Sequence, residues 1–211
     1  MTVLSLKTEN SRVDGVVTVE LSDGSSFLMQ IDYLDMEKDP SASFAVANYT
    51  GRELSSGEEE AFRFAAVCYQ AEKTSLRLIA RAEQSSFGLV AKLERRGFGA
   101  NAAKAVVSCL LKRNLLDDER YAELWIRSRL TITKAPSPQW LLAALSKRGI
   151  SRNSSSKAIE KVLDPETEYN LLLRYLSKAR HPKRKKAFST RVQLKHEGFS
   201  SAALDRYFDS Q

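Results

Sequence analysis

Three successive carboxylates, Asp117, Asp118 and Glu119, are the residues of this 211-residue chain whose type and spacing come nearest to reaction chemistry. Such a cluster can hold a divalent cation or act as acid and base, and with His181 or His196 in the same pocket it would form a nuclease-like centre. The same side chains equally suit the first turn of a helix, where negative charge complements exposed N–H groups, and this is the reading adopted. The two histidines stand alone, no Ser/His/Asp or Cys/His frame surrounds them, and neither a GxxxxGK[ST] nor a GxGxxG phosphate loop occurs. Cys68 and Cys109 lie in apolar helical pattern without CxxC or Cys/His metal spacing and are read as buried thiols. The sequence therefore gives no frame for catalysis, and neither a cofactor nor a metal is expected.

Binding chemistry has more material. The formal net charge is +7, but it is unevenly spread: residues 1–80 carry seven Lys/Arg against thirteen Asp/Glu, net −6, and residues 81–211 carry twenty-six against thirteen, net +13. A polyanionic partner would meet the C-terminal part. The candidate contacts are the pairs Arg95-Arg96 and Lys147-Arg148, the group Arg127, Arg129 and Lys134, the run Lys183, Arg184, Lys185 and Lys186, and Arg191. Each pair precedes a glycine, so at least one cation of each is accounted for by a helix C-terminus, an interaction of about 0.3–1 kcal/mol. The 183–186 run, following His181-Pro182, is denser than helix stability requires and suits nucleic acid or an acidic partner. Trp140 follows the Arg127–Lys134 group closely enough to set an aromatic beside a phosphate or base. The plainer expectation for Trp140 is a core position.

These residues are positioned by a repeated unit. LERRGFGANAAKAVV from Leu93, LSKRGISRNSSSKAI from Leu145 and LKHEGFSSAALDRYF from Leu194 align without gaps, each with a leucine, three mostly charged residues, a glycine and a large apolar residue. Gly97, Gly149 and Gly198 set a period near fifty residues, long enough for a repeat of three helices. Each motif is a helix stop: basic residues at the negative end of the macrodipole, glycine in the left-handed position, and Phe98, Ile150 or Phe199 packing back. Candidate N-caps follow at Gly99–Asn101, Ser151–Asn153 and Ser200–Ser201. Pro138 after Ser137 and Pro165 after Asp164 mark helix starts. One buried face is expected along Tyr121, Leu124, Trp125 and Ser128, another along Tyr169, Leu172, Leu173 and Leu176, and a weaker one at Leu76, Ile79 and Ala80.

The first 55 residues differ. VVTVELSDGSSFLMQIDYL places β-branched and aromatic residues on both sides of Ser22-Asp23-Gly24-Ser25, a hairpin pattern, with Val3, Leu4 and Leu6 available for a third strand. Such a sheet would either cap the helical part or offer an edge to a partner. After Ser55-Ser56-Gly57, the acids Glu58, Glu59 and Glu60 open the helical region. The expected organisation is a small β region at 1–55, a connecting helix at 56–71, and three-helix repeats at 72–114, 115–163 and 164–211. No stretch approaches the roughly 20 apolar residues of a membrane span, and MTVLSLKTEN lacks signal-peptide character, so a cytoplasmic setting and no membrane partner are expected.

The stretch LRLIARAEQSSFGLVAKLERRGF, then LLDDERYAELWIRSRL, then LLAALSKRGIS resembles the RecX family pattern: a Leu-rich helix, a KLxxKGF-like stop, an L-D-D-x-R-[FY]-A segment and an ELxxKGI-like stop. The likeness covers about two thirds of the chain, and Leu116-Asp117-Asp118-Glu119-Arg120-Tyr121-Ala122 is its most specific part. Two departures occur: Ala143-Ala144 stands where the family commonly has an acidic residue, and no glycine lies between Arg129 and Pro138. The resemblance implies a mainly α protein whose repeats form a curved, elongated stack. It also implies a cofactor-free regulator, expected to be monomeric, that engages the RecA filament and single-stranded or double-stranded DNA in recombination, repair and the SOS response. Restraint of ATP hydrolysis and strand exchange by RecA follows from it. The reading from residues alone stops at a helical repeat protein that binds nucleic acid.

Overall fold

The computed structural model describes residues 1–8, 15–34, 49–132, 135–178 and 191–210. The fold is mainly helical with a small antiparallel sheet at the N-terminus, as expected. The chain divides into two compact units, the first comprising residues 1–82 and 89–115, the second residues 83–88 and 116–211.

In the first unit β1 (Val3–Thr8), β2 (Val16–Leu21) and β3 (Ser26–Gln30) pair antiparallel in the order β1-β2-β3. The β2–β3 hairpin closes as its sequence requires: Gly24 takes φ +83 and donates to Leu21 O, while Asp23 accepts from the Ser25 backbone N–H at 2.9 Å and its hydroxyl at 2.6 Å. These bonds from Ser25 hold the exposed Asp23 carboxyl below its ordinary pKa. Val17, Val19 and Leu21, alternate residues on one face of β2, are buried, and so is Val16 at its start. The start of the β1 edge is not open: Val3 N–H donates to Arg52 O, Gly51 N–H donates to Val3 O, and Thr2 bridges to Glu53.

Helix α1 (Ser56–Arg81) runs unbroken for 26 residues and starts at a capping box, in which Ser55 Oγ accepts from Glu58 N–H and Glu58 Oε2 accepts from Ser55 N–H. Phe62, Ala65, Cys68 and Ala71 form its buried stripe. Burial pushes the Cys68 thiol up to about 12. Cys109 is only half-buried, a correction to the reading of two buried thiols. In α3 (Ala100–Lys112) it lies one helical turn before Arg113, which binds the buried Glu72 carboxylate at 2.8 Å and also pairs with Asp32. Glu72 further accepts from the Tyr33 hydroxyl at 2.7 Å; burial, reinforced by that carboxylate, drives the phenol far above its usual range.

Helix α2 (Ser86–Glu94) ends at the first glycine stop. The second unit contains α4 (Asp118–Ile132), α5 (Pro138–Ser146), α6 (Arg152–Val162), α7 (Pro165–Lys178), α8 (Arg191–His196) and α9 (Ser201–Asp209). All three stops have the same geometry. Gly97, Gly149 and Gly198 have φ +90, +76 and +89; each donates to the residue three back, and Phe98, Ile150 and Phe199 each donate to the motif leucine at 3.2 Å. This is the Schellman pattern. Asn114, at φ 55, makes a fourth such stop, with Leu115 N–H donating to Leu110 O. The following caps also form, with Ser151 accepting from Ser154 N–H and Ser200 from Ala203 N–H, while Gly99 caps α3 without a side-chain bond.

The expected helix faces are shifted by about one residue. Leu124 is 51% exposed and Leu173 39%, whereas Ala122, Ile126 and Leu171 are buried; Leu172 is buried as expected, and in α1 Leu76 is exposed and Ser75 buried. Small Ser75 and Ala122 lie on the buried stripes of α1 and α4; Leu76, one residue or about 100° from Ser75, falls on the flank, and Leu124, two residues from both Ala122 and Ile126, falls on the opposite side.

Candidate nucleic-acid interface

The first turn of α5 decides where Trp140 points. Ser137 caps the helix by accepting from Trp140 N–H at 3.2 Å, and Pro138 occupies the first helical position. The buried face of α5 is Leu141, Ala144 and Leu145, which leaves Trp140 on the flank and 48% exposed rather than in the core where it was expected. Its ring stacks on that of Trp125 in α4, with centroids 6.1 Å apart and planes 19° from parallel. These are the only tryptophans in the chain.

Two guanidinium groups lie over the Trp125 ring. Arg129, one turn further along α4, is 5.2 Å from its centroid, and Arg148, from the end of α5, is 4.5 Å away. Arg148 also donates to Ala144 O at 2.7 Å, so it satisfies the helix terminus and is held in place at the same time. A cavity of about 350 Å³ opens among Trp125, Arg129, Trp140, Ala143, Ala144, Lys147 and Arg148. Among the described residues its lining carries three cations and no carboxylate. Trp140 also borders a second cavity, of about 560 Å³, whose lining includes Tyr175 and Glu197.

Of the cations singled out from the sequence, Arg129, Lys147 and Arg148 come together here. Arg127 is exposed. In each glycine-preceding pair the second cation satisfies its own helix, Arg96 donating to Lys92 O at 3.0 Å as Arg148 does to Ala144 O, and the first, Arg95 or Lys147, is exposed. Arg191 pairs with Asp205. Lys134, Lys183, Arg184, Lys185 and Lys186 lie outside the described residues. Trp125 was read only as part of a buried face; the i, i+4 spacing from Trp125 to Arg129 is the signal that would have found it.

The carboxylates serve the helices. Asp117 Oδ1 accepts from Glu119 and Arg120 N–H, and Asp118 accepts from the Ser86 N–H at 2.7 Å and hydroxyl at 2.6 Å. Glu168 holds Ser200 in the same two-bond manner. Arg120 binds Glu83, which raises the guanidinium pKa further. Among the described residues no three His, Cys, Asp or Glu side chains come together as a metal site would need, and no helix is long and apolar enough to cross a membrane.

No family model matches the chain. Over 117 residues it is 38% identical to the "Regulatory protein RecX" of Treponema pallidum (strain Nichols) and, equally, to that of a second strain, of Treponema pallidum subsp. pallidum, a stretch covering 56% of this chain and 71% of each relative. A crystal structure of regulatory protein RecX shares its fold over 99% of this chain and 98% of the other, with TM-score 0.61 and 18% identity. A crystal structure of RecX from Lactobacillus salivarius does so over 68% of this chain and 96% of the other, with TM-score 0.50 and 19% identity.

Proposed function

The chain belongs to the RecX family of regulatory proteins, and from that premise we propose that it binds the RecA recombinase filament and its DNA in the cytoplasm and inhibits RecA ATP hydrolysis and strand exchange. The observation that carries this reading is the sequence identity with the Treponema proteins, which are regulatory by name. Charge supports it: residues 81–211 hold the net +13 that following a phosphate backbone calls for. The repeats at 72–114, 115–163 and 164–211 would supply the extended surface. Regulation here is by binding rather than catalysis, in keeping with Asp117, Asp118 and Glu168 being occupied by helix ends.

The test is the rate of ATP hydrolysis by the cognate RecA on excess single-stranded DNA as this protein is titrated in at fixed salt. Inhibition is expected well below one copy per RecA protomer. The cationic tryptophan cavity favours a second reading, a helical repeat protein that binds nucleic acid without a recombinase partner. DNA binding with no change in RecA turnover would establish that reading instead.

A further inference from the structure

We propose that the cavity between α4 and α5 is a subsite for one unpaired nucleotide of single-stranded DNA, its base stacked on the exposed part of Trp140 and its phosphate met by Lys147 and Arg129. This deepens the nucleic-acid part of the function proposed above and rests on it. An indole left half in water on a folded surface presents an apolar face to solvent, and a nucleobase is a ligand whose flat face matches it. Trp125, which also lines the cavity, stacks on the Trp140 ring and holds it, while the helix cap at Ser137 and the carbonyl bond of Arg148 fix the two ends of α5. The platform is therefore built before any ligand arrives, which lowers the ordering cost of binding.

The charges select the ligand further. Among the described residues three cations and no carboxylate line the cavity, so an anion is favoured there, and Ala143 and Ala144 leave its floor free of polar side chains that would compete with an aromatic ring. Helix termination accounts for Arg148 but leaves Lys147 exposed beside the cavity. A volume of about 350 Å³ sits near the lower end of the roughly 300–1,000 Å³ that small-molecule sites occupy. That suits one nucleotide, not a duplex, whose base faces are covered by their neighbours in the stack.

Both tryptophans of the chain lie in this site, so tryptophan emission reports on it alone. The full chain is titrated with oligo(dT), with a duplex of equal length and with dTMP at low salt, following tryptophan emission and, with an end-labelled strand, anisotropy. Saturable quenching by oligo(dT) in step with anisotropy is expected, with little quenching by the duplex. Trp140→Ala should weaken oligo(dT) binding about tenfold and leave duplex binding within about twofold, and Trp140→Phe should restore most of the loss. Lys147→Gln should lower the salt slope for the strand by about 0.7. Strand binding by anisotropy without quenching, and unchanged in Trp140→Ala, would overturn the subsite while leaving DNA binding intact. Failure of the strand to bind at all would overturn both, and dTMP binding as tightly as the strand would make the ligand a free nucleotide instead.

Discussion

Asp118 stands where a metal-dependent nuclease would want a ligand, yet both of its carboxylate oxygens are engaged by Ser86. Charged hydrogen bonds of this kind are worth more than neutral ones, and their loss would leave the Ser86 donors facing nothing. Asp118→Ala should lower the free energy of unfolding by about 2 kcal/mol, measured by urea titration, with Ser86→Ala costing less and the double variant falling short of the sum. Unchanged stability would remove the structural role assigned here. The helix-start role of Asp117 and Asp118 was legible because acids in a first turn follow a local rule. The bond to Ser86 was not, because its partner lies 32 residues away, and nothing in the linear order marks it. Glu72 is less legible still: an acid within an apolar stripe gives no hint that Tyr33 and Arg113 converge on it. The stacking of Trp125 on Trp140 likewise arises only once α4 and α5 pack.

At the scale of elements the helix stops were the most readable feature, since leucine, charges, glycine and an apolar residue each have a fixed task in the Schellman turn. Their surroundings differ in a way that sequence does not carry. Among the described residues a side chain added at Gly97 meets nothing within 4 Å, whereas at Gly149 it would collide with the Cβ of Phe87. Gly97→Ala should therefore cost about 1 kcal/mol, the strain of a positive φ alone. Gly149→Ala should cost at least twice that, and Phe87→Gly in the same chain, which removes the clashing Cβ, should recover the excess; thermal unfolding of the three variants checks the ranking. Equal losses at the two glycines would mean that Phe87 yields freely. The expected helix faces fall one residue out of phase because periodicity weights large side chains above Ala122, which lies on the buried stripe of α4. Asn114 is a stop that a search for glycine in the left-handed position passes over.

Over the whole molecule, the mainly helical class, the N-terminal sheet and the uneven charge were all visible in composition and periodicity. With Lys147 and Arg129 meeting phosphate, the affinity for single-stranded DNA should fall about sevenfold or more between 50 and 200 mM salt, as anisotropy would measure. Salt-independent binding would remove the electrostatic basis of the proposed function. The division into units was not visible, because residues 83–88 belong with the second unit through partners found much later in the chain: Arg120 for Glu83, Asp118 for Ser86 and Gly149 for Phe87. That arrangement sets a timetable for synthesis. At translation speeds of about 5–20 residues per second, Ser86 waits roughly 2–6 s for Asp118 to be made, and Phe87 waits about twice as long for Gly149. During that interval residues 83–88 have been made without the later residues that hold them in the second unit.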